Sequence, residues 1–509
     1  MSNQGAILIT FFVYFSIIIG IALYFRRSQN LSDYFLGGRT LNAWVGALSA
    51  QASDFSGWLL MGLPGAIYAA GTGRAWVAVG NFVGLIINWM CIAKRLRRYT
   101  ITAKNSITLP EYLENRFHDT SRALKTTTAV FFAIFFTVYT AAGFVAGGTL
   151  LSSIFGLNYT TAMVLTALFI VLYTLIGGFL AVSVTDTLQG MMMLLGIAIL
   201  PWVALNAMGG WANVSAEVPA GFFNMLADGR GGRISGISII SDMAWGLGYF
   251  GMPHILVRFM AIKSEKSVSI STVIAIIWAA IGLSSAVLVG VVGFAFVPGL
   301  ANRETVLINM IDRIFLSQNA VIAIPVLGGF FLCGIFAAII STADSQLLVA
   351  SSSLTGDIYR GLKKTASDKH LVMVSRLSVL AVAVIAFIIA LNPAAGVMAL
   401  ISNAWAGLGS AFGPLVLISL FWRRITRMGA VVGIIVGGLT VIIWEYIPLA
   451  QGQVLGSYTG LYSLIPGFFL SVAAILAVSL SGKQPSAEIL AEFETASKPL
   501  VEQPEAAKR

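Results

Sequence analysis

About thirteen segments of this 509-residue chain are apolar for long enough to cross a bilayer, beginning near residues 6, 40, 75, 123, 159, 186, 235, 270, 318, 371, 395, 427 and 459. Roughly 20 apolar residues span the hydrocarbon core as a helix. Hydrocarbon offers backbone N–H and C=O groups no partner, so a crossing segment has to satisfy them internally. The expected fold is therefore an all-α polytopic membrane protein with about thirteen transmembrane helices. With 58% hydrophobic and only 10% charged residues, a soluble globular domain is excluded. The first apolar run has no basic leader and no small-residue cleavage site, which makes it a retained helix and not a signal peptide.

A net charge of +10 could point to nucleic acid, but its distribution points to topology. All but five of the 31 lysines and arginines fall in the alternate loops near 26–39, 94–125, 258–266, 360–376 and 423–427 and in the tail. The five others are Arg74, Arg230, Arg233, Arg303 and Arg313. By the positive-inside bias this sets the N-terminus outside, the C-terminus in the cytoplasm, and an odd number of spans. The basic loop from Lys94 to Asp119 reads as an amphipathic segment held at the inner surface by anionic lipid. Cys91 and Cys333 sit inside apolar segments, so neither a disulfide framework nor a cysteine metal site is expected. His118, His254 and His370 are scattered and form no metalloprotease or nucleophile–base pattern, so the chain does not read as an enzyme.

Two spans are anomalous. Ser49–Gly65 reads SAQASDFSGWLLMGLPG, with Asp54, Ser53, Ser56 and Gly57 midway through an apolar run. A carboxylate at that depth costs about 2.5–3.5 kcal/mol on insertion scales, so it faces protein or a water-filled cavity. Ser, Asp and Gly in succession also weaken a helix, because they compete for or expose its backbone. Unwound backbone at that depth lines a cavity, and its carbonyls can coordinate a cation. In the seventh span Gly246, Gly248, Gly251 and Pro253 interrupt the run, with Trp245, Tyr249 and Phe250 between them. Asp242, one turn earlier, has no evident role. The ninth span carries the hydroxyls of Ser341 and Thr342, with Asp344 and Ser345 at i+3 and i+4 from Ser341. Tyr139 in the fourth span needs a partner for its hydroxyl, and Asp186 reads as opening the sixth span, where the helix dipole stabilises it.

The second and seventh spans each begin a group of five, 40–208 and 209–422. Five is odd, so the groups enter the membrane from opposite sides, as inverted repeats do. An interrupted span at matching positions of two halves is the sequence signature of a transporter's binding site. Residues 1–39, with the first span, and 423–482, with the last two, are peripheral additions, and 483–509 reads as a disordered cytoplasmic tail.

LGGRTL, SDFSGWLLMGLPGA, IGGFLAVSVTDTLQ, WGLGYFGMPHIL and AAIISTADSQLL, in that order, resemble motifs of the sodium/solute symporter family over about residues 10–480. The resemblance implies a leucine-transporter-type fold of five-plus-five inverted repeats with the second and seventh helices broken, working by alternating access. It implies secondary active uptake of L-proline with Na+ through the cell membrane; the alternatives are another small solute or a transporter-like sensor. For sodium it implies the carbonyls of Ala52, Phe55 and Ala338 and the hydroxyls of Ser341 and Thr342, with Asp54 beside them. For proline it implies Ser56, Gly57, Trp58, Tyr139, Trp245, Tyr249, Pro253 and Gly329. Relatives with a second ion site build it around the positions of Asp186, Ser341, Asp344 and Ser345; here Asp344 stands where several of them carry serine.

Overall fold

A computed structural model describes residues 3–25, 36–176, 178–229, 231–363, 365, 367–392, 396–450 and 452–499. Among the described residues eleven helical stretches are long and apolar enough to cross a membrane, one of which, Trp58–Thr102, joins the outer half of the second segment to the third. Counted separately, that second segment and the interrupted seventh give thirteen spans. The first group of five holds the broken Ala43–Asp54 and Trp58–Ala70, then 76–102, Ala123–Phe155, Tyr159–Ile176 and Phe179–Ala207. The second holds the broken Gly236–Met243 and Pro253–Ala261, then Glu265–Phe296, Pro325–Tyr359, Asp368–Ala390 and Val397–Phe421. Asn3–Phe25 precedes them, and Arg427–Tyr446 and Leu464–Ser481 follow.

Burial separates the centre from the shell. In the most apolar window of each, 83% of residues are buried in the ninth and eleventh spans, against 33% in the first and thirteenth. The first span lies on the ninth and sixth, and the last two lie on the eleventh. The inner half of the second span is held between the sixth and eighth, and the broken seventh between the third and eleventh. Glycine allows that last approach. A Cβ on Gly84 would collide with the carbonyl of Gly246, and one on Gly248 with the ring of Trp405. Helices on the basic face start on side-chain caps: Asn42, Thr108, Ser264 and Thr426 each accept from a backbone N–H three residues on.

Three expectations are corrected. The sixth span starts at Phe179, so Asp186 lies two turns inside the helix, fully buried, and is no cap. The basic loop is tied to protein as well. Arg97 donates to the carbonyls of Ile262 and Lys263, and Arg39 to those of Met260 and Ser106. Together they clamp the C-terminal end of the seventh span, where the helix dipole favours cations. Burial, with Arg97 close by, lowers the Arg39 guanidinium to about 10, which leaves it charged at neutral pH. The tail, finally, is not disordered throughout. Ala487–Ser497 is a helix capped by Ser486. It buries Phe493 and Ala496, and Phe493 meets the guanidinium groups of Arg95 and Arg116. Residues 500–509 lie outside the described residues.

Candidate functional site

The second span stays α-helical to Asp54, and at Phe55 (ψ 75°) the chain leaves the helix. Ser56 explains the break locally: its Oγ accepts from the Trp58 N–H at 3.4 Å, taking a donor from the ladder. A π turn over Trp58–Gly62 follows, and the Trp58 indole N–H donates back to the carbonyl of Asp54 at 3.1 Å. Facing the break, Ser341 Oγ donates to the carbonyl of Ala52 at 2.8 Å and Thr342 Oγ1 to the same oxygen at 3.4 Å. Ser341 Oγ also lies 3.3 Å from the carbonyl oxygen of Ala338. Four of the five expected sodium ligands thus converge on one point, with Phe55 at the turn beside them. The set is all oxygen, two carbonyls and two hydroxyls, which suits a hard cation. Once the O–H bonds turn aside, the hydroxyl lone pairs serve such an ion.

Both oxygens of Asp54 are buried, and among the described residues neither has a hydrogen-bond partner. The same holds for the hydroxyls of Tyr139 and Tyr249 and for Nε2 of Gln346. The Tyr249 hydroxyl neighbours the Asp54 carboxylate, and Tyr139 faces Asp54 and Ser56. Buried polar groups are normally satisfied, so a cluster of unpaired ones marks a place built for something else. Ser56, Gly57, Tyr139, Thr342 and Gln346 line a sheltered cavity of about 10 Å³. Trp58, Trp245 and Tyr249 do not line this cavity; Trp245 lies 5.8 Å from Trp58 between ring centroids and is stacked on Tyr462 at 5.8 Å and 20°. Trp405 donates its indole N–H to the carbonyl of Trp245 at 2.8 Å and meets Tyr249 edge-on at 5.2 Å. Gln346, Trp405 and Tyr462 escaped sequence reading, since only the folded chain brings the ninth and eleventh spans and the loop before the thirteenth to the break.

Two residues expected at this site stand elsewhere. Gly329 faces the first span, where a Cβ would sit 2.8 Å from Thr10 Oγ1 and 3.3 Å from Ile7 Cα. It is a helix-crossing residue. Overpacking such a contact costs about 1–3 kcal/mol, so Gly329→Val should lower the thermal unfolding midpoint by several degrees. Ligand affinity, measured on the surviving fold, should stay within about twofold. Pro253 starts the inner half-helix of the seventh span and borders a different cavity of about 30 Å³, which Val257, Arg258, Phe179 and Ser345 also line. This second cavity shares Ile107 and Thr108 with a polar cavity of about 330 Å³ on the basic face.

Asp186 and Ser345 do meet, but around an arginine. Arg258 Nη2 lies 3.1 Å from Asp186 Oδ2 and 2.7 Å from Ser345 Oγ, and Nε lies 3.1 Å from Ser49 Oγ. Arg258 is 1% exposed, so it is no loop charge, and counting it among the basic loop residues is corrected. Asp344 adjoins through Ser345 Oγ at 3.3 Å. Asp242 also gains a partner, Arg74, at 3.1 Å.

A sequence model of the sodium:solute symporter family matches residues 34–437. A curated Staphylococcus aureus protein named sodium/proline symporter is 45% identical over 489 residues, 93% of this chain and 92% of its own length. Its counterpart in strain JH9 is 44% identical over 497 residues, 95% of this chain and 94% of its own. Among solved structures, a substrate-bound, outward-open Na+-coupled sialic acid symporter superposes with a TM-score of 0.78 at 20% identity, covering 94% of this chain and 99% of its own. A nucleobase-cation-symport-1 family transporter, closed with bromovinylhydantoin bound, reaches 0.55 at 13% identity, covering 92% and 100%. At such identities the structural likeness speaks for the fold alone.

Proposed function

The chain belongs to the sodium:solute symporter family, and from that membership we propose that it takes L-proline into the cell together with Na+, by alternating access. The observation that carries the reading is the meeting of a broken helix with the ninth span: carbonyls of Ala52 and Ala338, hydroxyls of Ser341 and Thr342, and the unpartnered Asp54 carboxylate. Sodium sits among those oxygens, with the Phe55 carbonyl completing the set and Asp54 supplying the negative field. Proline sits across the break, its charged ends on Ser56, the unwound backbone at Gly57 and the free hydroxyls of Tyr139 and Tyr249. Trp58 and Trp245 wall its ring. An amino acid needs several times the volume of the cavity at Ser56, so loading separates the half-helices.

The two five-span groups, 40–208 and 209–422, rock about this point, and both cargoes leave past Ile107 and Thr108 into the polar cavity. The basic loops face the cytoplasm, which puts the N-terminus outside and the C-terminus inside a cell membrane. The driving force is ample. One charge moving down ~150 mV releases about 3.5 kcal/mol, and a roughly tenfold sodium gradient adds about 1.4, enough for a few-thousand-fold accumulation.

Purified protein in proteoliposomes, given radiolabelled proline and an inward sodium gradient, should accumulate proline and lose the accumulation when the gradient is dissipated. Sodium-driven uptake of a different amino acid, carboxylate or sugar, with proline neither carried nor competing, overturns the choice of solute. Uptake indifferent to sodium overturns the reading altogether.

A further inference from the structure

The transport reading uses the polar cavity on the basic face only as a way out, yet its walls are specific. Glu111 and Glu114 come from the loop helix Leu109–Arg116, Arg122 and Lys125 from the start of the fourth span, and Asp357 and Arg360 from the end of the ninth. Three carboxylates and three cations thus line about 330 Å³. They do not cancel in pairs. Lys125 Nζ is shared, 2.9 Å from Glu114 Oε2 and 3.5 Å from Asp357 Oδ1. Glu111 Oε2 accepts from the Ile107 N–H at 2.8 Å. Among the described residues neither Arg122 nor Arg360 makes an ion pair or a side-chain hydrogen bond. Asp357 is 4% exposed, and its Oδ2 has no hydrogen-bond partner among them either. A Cβ on Gly361 would collide with Arg122 Nη1, so the absence of a side chain there lets that guanidinium lie against the end of the ninth span.

Two unpaired guanidinium groups and an orphaned carboxylate oxygen in one cavity are what a small zwitterion satisfies. A cation alone would leave the arginines unpaired, and an anion alone would leave Asp357 Oδ2. Arginine's planar fork takes a carboxylate on two parallel N–H bonds, and an ammonium suits the free oxygen of Asp357. Sites that select an apolar body have mostly apolar walls. Here Ile107 is the one large apolar side chain among the described residues of the wall, so one small side chain is hardly told from another. We propose that this cavity is a second, cytoplasmic amino-acid site, which holds the α-ammonium and α-carboxylate of small amino acids without sodium and slows the carrier when the cell side is full. The proposal rests on the symport reading above, which makes the cavity the exit.

The slowing follows from where the walls belong. The loop helix and the fourth span are part of the first five-span group, and the ninth span is part of the second. A ligand that touches both favours the arrangement that holds them at this spacing and opposes one that parts them. At about ten times its Kd it weights that arrangement roughly tenfold. The carrier then returns more slowly for its next load.

The probe is L-alanine, which has the charged ends without the ring. Saturation-transfer NMR on purified protein in sodium-free potassium buffer should show alanine binding in the millimolar range. No binding by wild type overturns the proposal without any variant. Arg360→Gln and Asp357→Asn should each weaken binding at least about fivefold; if either binds as wild type does, the cavity is not the site. Trp245→Ala, at the wall proposed for proline, should leave alanine binding within about twofold. A matching loss there puts alanine in the central site and overturns the proposal. N-acetylalanine, which lacks the ammonium, and ethylamine, which lacks the carboxylate, should each bind at least about fivefold more weakly than alanine. Equal binding by either makes this a single-charge pocket and overturns the assignment. Glycerophosphoethanolamine carries a lipid's zwitterion and should displace alanine poorly; if it acts at lower concentrations than alanine itself, the seat is for lipid and the proposal fails. In proteoliposomes, preloaded alanine should slow sodium-driven proline uptake several-fold in wild type and less than about twofold in Arg360→Gln. Equal slowing in both, or none in wild type, overturns the feedback. Failure of the symport reading looks different: empty proteoliposomes would then take up proline without regard to sodium.

Discussion

Asp54→Asn is expected to cut sodium-driven proline uptake at least a hundredfold while the protein still inserts and folds. The side chain is 1% exposed and keeps the same shape as asparagine, so packing survives the change. What is lost is the charge. A unit charge ~5 Å from a sodium ion, at an effective dielectric constant near 20, contributes about 3 kcal/mol, which is roughly two powers of ten in affinity. The basic group beside the break is committed elsewhere, since Arg258 pairs with Asp186, and no salt bridge is found at Asp54 among the described residues. Among the described residues the carboxylate thus has no cationic partner. The check is uptake and sodium half-saturation in proteoliposomes, with insertion verified on the same preparation. If the variant keeps robust sodium-dependent transport, Asp54 is a kink residue and the oxygen cluster works without it.

The architecture was legible because its signals are local. Gly, Ser, Asp and Pro inside apolar runs report a helix break from composition alone, and both breaks fall where those residues stand: Phe55–Gly57, and Ala244 to Met252. The oxygen cluster was reachable because Ser341 and Thr342 share a helix. Arg258 was not reachable. It stands five residues before Lys263, at the edge of a basic loop, and only the fold turns it inward to Asp186. Asp186 failed for a related reason: the sixth helix starts seven residues earlier, after Gly178, whose extended backbone (φ 170°) no composition rule reveals. Gly329 was misplaced because a small residue in a span serves close crossings and binding sites alike. The tail helix did leave a trace. Ile489, Phe493 and Ala496 recur at helical spacing, but so sparsely that the polar background reads as disorder.

The aromatic side of the site admits an equally sharp test. Trp245→Ala should weaken proline binding at least tenfold while sodium binding, measured without proline, moves less than about threefold. Trp245 touches Trp58, Trp405 and Tyr462. Aromatic pairs are worth about 0.5–1.5 kcal/mol beyond burial, so deleting the shared ring loosens the whole wall against which a pyrrolidine would rest. The oxygens proposed for sodium, at Ala52 and Ser341, belong to the second and ninth spans, whereas Trp245 stands on the seventh. Affinities must be measured separately, because coupling makes each ligand shift the other's apparent affinity by the same factor once both are present. Trp245→Phe keeps a ring at the contact with Trp58 and should recover most of the loss. A wall residue predicts that order: large loss, partial rescue, sodium spared. If alanine lowers proline and sodium affinity alike, the four rings are core packing, and the solute seat lies nearer Gln346 and Tyr139, across the cavity at Ser56.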